Sequence, residues 1–480
     1  MPLHPDRLFP ADPTTRAVAR ELYEQVRGLP LICPHGHVAA SLLAENAQLP
    51  DPVALLVAPD HYLTRMLNSQ GIEPSAVGAP RRDGVPVAEP RDAWRTFCAH
   101  WYLFRGTPSR LWLEQALEGV FGVRSDLGPD TADEVFDAIS EKLATPQFRP
   151  RALFDSFNIE ILATTDSPLD TLESHARLAD EGYRGRVVPT FRPDDVIDPD
   201  RPGWADNVER LGKVAGQQIS NYADYLTALK IRRSAFRAAG ATATDHGHPT
   251  AATADLDQAE ASRLFDRLRA GRAEPGDAEL FRAQMLTESA AMSVDDGLVM
   301  QLHPGSVRDH VRPLFERYGR DAGGDIPAAT EYVQALRPML DRFGSEPKFR
   351  LVLFTLDESA YSRELAPLAG VYPAVFLGPP WWFFDSAEGI RRFRELTTET
   401  AGLYNTVGFN DDTRALASIP VRHDVARRLD CAFLAQLVAE HRLPIDEAQA
   451  TAADLAYHLP RRGYRLDDEA HDRAARGAVA

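Results

Sequence analysis

Short apolar runs that end in polar or histidine-bearing residues recur along the whole chain. They are LPLIC (29–33), IEILATTD (159–166), RVVPTFRPD (186–194), ATATDHGH (241–248), LVMQLHPG (298–305), RLVLFTLDE (350–358), YPAVFLGPPWW (372–382) and NTVGFNDDTR (405–414). A continuous apolar run of this length is the pattern of a strand covered on both faces, as strands of a parallel sheet are. Helical patterns lie between most of them. SPLDTLESHARLADEGY has Ser167 and Pro168 as a start signal, and DSAEGIRRFRELTTETAGLY has Asp385 as a cap. Eight strands alternating with helices predict an α/β fold, a closed (β/α)8 TIM barrel, with a doubly wound open sheet as the alternative.

Two connections exceed what a barrel needs. Residues 39–154 are mostly helical in pattern and predict a helical insertion after strand 1, and residues 200–297 predict helices flanking the fourth strand. The aromatic stretch WYLFRGTPSRLW reads as core or interface packing, and the terminal HDRAARGAVA as a loose tail. Dividing 480 residues by about 150 per domain suggests three domains, but barrels run long when their loops carry insertions, so one barrel domain over 1–480 is expected.

Composition narrows the partners. Three cysteines, Cys33, Cys98 and Cys431, are too few and too scattered for a disulfide framework, which favours a reducing, cytoplasmic setting. The N-terminal stretch lacks the apolar core of a signal peptide, and no uninterrupted apolar run is long enough to span a bilayer. A formal charge of −17 argues against nucleic acid and anionic membranes and leaves a small molecule as the partner. A homo-oligomer through the aromatic insertion is compatible with the pattern but not indicated by it.

Candidate chemistry clusters where the strands end, which is where barrel enzymes carry their sites. His35 and His37 are two residues apart, so on a strand they share a face and could both point to the barrel axis. With 14 histidines in the chain such a pair arises readily by chance, and a second pair, His246 and His248, exists. His303 follows the fifth strand and Asp411 or Asp412 the eighth. Imidazoles plus one carboxylate suit one divalent ion such as zinc, with coordination positions left open. Taken singly, His303 reads as a core histidine and the aspartate pair as a helix cap. Arg192, Arg414, Trp381 and Trp382 stand at similar places, and two arginines in one pocket suggest an anionic substrate. No nucleophile elbow or Walker A loop appears, and no dinucleotide fingerprint follows a predicted strand, so no organic cofactor is expected.

These residues resemble a known family, the uronate (glucuronate) isomerases of the amidohydrolase superfamily. The likeness is carried by PHGH (34–37), DHYLTRMLNSQGI (60–72), TTDSPLDTLESH (164–175), PTFRPD (189–194), QLHPG (301–305), PPWWFFD (379–385) and NDDTRALASIPVRHD (410–424), in family order over nearly the whole chain. The resemblance implies a metal-dependent-hydrolase-type barrel that interconverts D-glucuronate with D-fructuronate and D-galacturonate with D-tagaturonate. It implies metal ligation by His35, His37 and Asp412, with His303 as a further histidine, and substrate contacts from His61, Tyr62, Arg192, Trp381, Trp382 and Arg414. Cys33 and Pro34 depart from many relatives, which have an aspartate and other residues there. Strand four offers Asp245, His246 and His248 where the superfamily's hydrolases carry a lysine or glutamate bridging two metals, which favours one metal.

For an aldose–ketose isomerase the hard step is removing a carbon-bound proton through an enediol. Asp412, Tyr62 and His61 are the candidates to move it. Tyr62 would need a lowered pKa, and a metal-bound Asp412 would be a weak base. Arg414 would stabilise the developing charge, Arg192 would hold the distant C6 carboxylate, and His246 and His248 lean toward the pocket. A hydrolase of a sugar-acid amide or lactone is the alternative on the same barrel, and a sugar-acid-binding protein without turnover is the non-enzymatic one.

Overall fold

Each of the first seven predicted runs contains a strand, and each strand is short, in the computed structural model, which describes residues 3–467. They are β1 (Leu31–Cys33), β2 (Ile159–Ala163), β3 (Arg186–Val188), β4 (Ala243–His246), β5 (Val299–Leu302), then, beyond a small antiparallel hairpin of β6 (Ser306–Val307) and β7 (Ile326–Pro327), β8 (Leu351–Leu353) and β9 (Val375–Leu377). The order β1–β2–β3 and the order β4–β5–β8–β9 are parallel throughout. Phe191 joins the two sheets, donating to the Ala243 carbonyl and accepting from the Asp245 amide.

The eighth predicted strand does not form a ladder. Residues 405–407 meet β9 through a single bridge, Leu377 to Thr406, and the side toward β1 is held by one backbone bond, His37 N to Thr413 O at 2.9 Å. Gly408 explains the break: its φ is +76°, and a Cβ there would come within 2.9 Å of the Leu455 carbonyl and 2.6 Å of Pro460. The chain turns there to let the C-terminal helices pack close.

Side chains alternate across the strands as the period of two requires. Ile32, Ile161, Val188, Ala243, Val299 and Val352 point into the barrel, while Leu31, Cys33 and Leu162 pack outward against the inserted helices, and Met300, Leu302, Leu351 and Leu353 against later ones. Tyr464 and Leu466 from the chain's end join the interior, with Asn410 donating to the Tyr464 hydroxyl at 2.8 Å and that hydroxyl donating to Gln301 at 2.9 Å.

Between β1 and β2 the chain runs through a series of helices ending at Ser156. Trp94 and Phe97, with Trp101 and Phe104 of the aromatic stretch, are buried in a cluster continuous with Leu31 and Leu162, and Trp112 packs in a neighbouring one, so the stretch is packing at these rings, each contributing roughly 1.5–3 kcal/mol, while its Tyr102 is exposed. Helices Trp204–Ala215, Tyr222–Ala238, Gln258–Arg269 and Asp277–Asp296 flank β4. Two predicted starts shift. The helix expected at Ser167 begins at Glu173, because Ser167 and Asp170 are spent on local turns. Ser386, not Asp385, caps Ala387–Ala401, and Asp385 turns inward to Arg422. The segment 471–480, read as a tail, lies outside the described residues. Among the described residues no helix is long and apolar enough to cross a membrane.

Candidate active site

A cavity of about 630 Å³ opens where the strands end, within the usual range for small-molecule sites. His35 and His37, Arg192, His303, Trp381, Trp382, Asp412 and Arg414 all line it, and His61 and Tyr62 reach it from the insertion. Asp60 places those last two by capping helix His61–Ser69, accepting from the Tyr62 amide at 2.8 Å.

His35 and His37 do not share a strand face, since β1 ends at Cys33 and both lie in the turn after it. Their rings stand edge to face 5.4 Å apart, and both Nε2 atoms turn to one oxygen, Asp412 Oδ1, at 3.5 and 3.1 Å. Asp412 has φ of +39°, in the left-handed region, a conformation a non-glycine holds at a cost of about 1–3 kcal/mol. That twist sends Asp412 into the cavity and Asp411 away from it. Neither of the two caps a helix.

The three ligand atoms lie within 4.8 Å of one another, and Asp412 Oδ1 accepts no well-formed hydrogen bond. Zinc held tetrahedrally by nitrogen and oxygen at about 2.0–2.2 Å would set these edges at about 3.4 Å, so the donor set fits a divalent cation. Charge agrees: burial disfavours protonated His35, yet Asp245 and Asp412 outweigh it and raise its pKa. Burial would likewise raise Asp412, but His35 and His37 hold it well below the usual carboxylate range. His303 stacks on His35 at 4.7 Å and donates from Nδ1 to Asp245 at 2.7 Å, which leaves Nε2 as an acceptor without a partner.

Three sequence expectations change. Tyr62 is not acidified: burial pushes its pKa up, and Arg422 offsets this only in part. Arg192 is occupied by carboxylates, with Nε 2.9 Å from Asp194 and Nη1 3.1 Å from Asp245, so its charge is already balanced within the wall. His246 and His248 do not line the cavity: on β4 Asp245 faces inward, so His246 turns out to Thr244, and His248 lies beside it. His61 is neutral, burial and then Arg414 lowering its pKa to about 3, and both its ring nitrogens are buried without partners.

The connection from β5 to β8 supplies residues that the sequence patterns did not single out. Arg308 lies 4.8 Å over the Trp382 ring, 3.1 Å from Asp325 and 3.7 Å from Asp321. Asp321 also pairs with Arg414 at 2.9 Å. Only the arginine immediately after the QLHPGSV run could have hinted at this, because the loop has no hydrophobic period.

The glucuronate isomerase family model matches residues 13–462. A uronate isomerase of Rhizorhabdus wittichii is 61% identical over 97% of this chain and 98% of its own length. The crystal structure of glucuronate isomerase from Caulobacter crescentus superposes with a TM-score of 0.96 at 56% identity, covering 97% of each chain. Uronate isomerase from Thermotoga maritima gives a TM-score of 0.90 at 28% identity, over 97% of this chain and 100% of that one. With a barrel of this topology and near-complete coverage at such identity, the chain belongs to the glucuronate isomerase family and is an isomerase.

Proposed function

We propose that the chain interconverts D-glucuronate with D-fructuronate and D-galacturonate with D-tagaturonate, by proton transfer through an enediol, in a site that holds one divalent ion. The observation that carries this reading is the meeting of the His35, His37 and Asp412 donors with Arg308 and Arg414 in a single cavity. Two imidazoles and a carboxylate suit zinc. When bound, the ion supplies a Lewis acid for the sugar's carbonyl oxygen.

The residues then divide the work. A proton leaves C2 for the base as O1 takes a proton from a neighbouring donor, giving the enediol; the base returns its proton to C1 while O2 gives its own proton back to that donor and becomes the new carbonyl. Asp412 is the base we assign, because it alone of the three candidates is already an anion; its weakness as a base is offset by Arg414, which stabilises the enediolate and so makes the C2 proton easier to remove. Tyr62, kept as a phenol, donates a hydrogen bond to a substrate oxygen, and neutral His61 stands ready to do the same. Arg414 stabilises the charge that develops on O1 and O2. Arg308 takes the C6 carboxylate, because its partners Asp321 and Asp325 belong to the same loop and can be exchanged for a substrate anion, whereas Arg192 is locked by Asp194 and Asp245. Trp381 and Trp382 shape the wall, and His303 orients through Asp245.

On strand four Asp245 is committed to Arg192 and His303, which favours one metal over the two of the hydrolytic alternative. We infer one folding unit for the chain, and a cytoplasmic setting from its buried free thiols. The test is incubation with each uronate and, as control, D-glucose. Ketose formed from both uronates at unchanged mass, with far less from glucose, is expected. Cleavage of a sugar-acid amide or lactone without ketose formation would replace this reading with the hydrolytic one.

A further inference from the structure

Of the two further clusters of metal-ligating side chains among the described residues, one, His35, Asp245 and His303, shares a histidine with the first site, and the other lies behind it and takes no part in the reaction above. Cys33 at the end of β1, Asp411 and His423 of helix Ile419–Ala439 are all buried, and their ligand atoms lie within 4.8 Å of one another. His423 Nε2 is 3.6 Å from Cys33 Sγ and 3.3 Å from Asp411 Oδ2. As a hydrogen bond to a carboxylate 3.3 Å is long, since charge-assisted bonds run at about 2.7–2.9 Å. As edges of a tetrahedron the two distances fit: zinc–sulfur at about 2.3 Å and zinc–nitrogen and zinc–oxygen at about 2.0–2.2 Å set S···N near 3.5 Å and N···O near 3.4 Å.

Two further observations point to a ligand. Asp411 Oδ1 is fully buried and has no hydrogen-bond partner, an arrangement that leaves a carboxylate oxygen neither solvated nor paired. Thiolate, carboxylate and a divalent cation sum to zero charge, which suits a site closed to water, and Asp411 binding through both oxygens would make four donors from three residues. The position is also mechanically apt. Cys33 and Asp411 flank the seam between β1 and the missing eighth strand, where one backbone bond alone, His37 N to Thr413 O, crosses.

We propose that Cys33, Asp411 and His423 form a second, structural site for a thiophilic divalent ion such as zinc, which clips the first and last barrel segments to helix Ile419–Ala439. The site is distinct from the His35, His37 and Asp412 set, which contains no sulfur, and the proposal does not depend on the reaction assigned there.

Metal content and the cobalt spectrum of the full chain test it. The purified protein is expected to hold two equivalents of zinc per chain. After exchange, the cobalt form is expected to show thiolate-to-metal charge transfer in the near ultraviolet. Cys33→Ser is expected to lose that absorption and one equivalent while keeping the other, and Cys98→Ser to keep both. Should Cys33→Ser fail to fold, the wild-type cobalt spectrum decides alone, because Cys98 and Cys431 belong to no ligand cluster among the described residues. Metal bound at one or two equivalents with no sulfur-to-cobalt charge transfer would overturn the proposal.

Discussion

Asp412 and Tyr62 face the same cavity with opposite protonation preferences: the histidines keep Asp412 an anion, and burial keeps Tyr62 a phenol. Asp412→Asn is therefore expected to lower kcat by about 10³-fold or more, and Tyr62→Phe by roughly 10- to 100-fold, as removal of a base and of a donor do. Metal content measured on both variants separates lost chemistry from lost ligation, and equal losses with metal retained would contradict the division of roles. Among the arginines, Arg308→Ala should raise KM for both uronates about 10-fold or more while barely changing turnover of a neutral aldose. Arg192→Ala should instead lower the unfolding midpoint, because it removes the cation between buried Asp194 and Asp245 and leaves them with only Arg201 and His303 respectively as charged or imidazole partners. Two histidines away from the cavity set a pH dependence. Burial lowers His175 to about 4 and His246 to about 3, so between those values and about 6.5 the unfolded chain binds protons that the folded chain refuses. Stability should fall as pH drops from 7 to 5, and His175→Gln should flatten that slope in denaturant titrations.

At the scale of elements, the clearest prediction concerns the missing eighth strand. Gly408→Ala should destabilise the protein by about 1–3 kcal/mol, because φ of +76° and the nearby Leu455 carbonyl leave no easy place for a Cβ; an unchanged melting temperature would refute the account of that bend. The apolar runs located seven strands because burial on both faces writes itself as unbroken hydrophobicity, and NTVGF misled because it is buried as a strand would be, Val407 in the barrel interior and Phe409 against helix Ile419–Ala439, while pairing with β9 through one bridge only. Asp385 looked like a cap for the same local reason that Ser386 is one; its choice of Arg422, distant in sequence, is invisible to local pattern. The role of Arg308 and Asp321 was likewise illegible, since a polar loop carries no period to read. Cys33 and His423, 390 residues apart, show the limit most plainly: only the fold brings them together.

For the whole molecule, the position of the site was legible because barrels put chemistry at strand ends, and His35, His37, His303 and Asp412 each follow a strand or its equivalent. What could not be read is electrostatic: Arg192 balanced by two carboxylates, Tyr62 driven toward the neutral form, and a cavity whose arginines are mostly paired until a substrate anion arrives. Those features belong to the folded field and not to any motif. The central claim is that this field moves a proton between C2 and C1 of a uronate. Its most direct test is proton NMR of D-glucuronate turned over to equilibrium by the enzyme in D₂O. The account predicts ketose carrying deuterium at C1 and recovered aldose carrying it at C2. Ketose that retains all of its original hydrogen after many turnovers would contradict proton transfer and require a hydride shift instead.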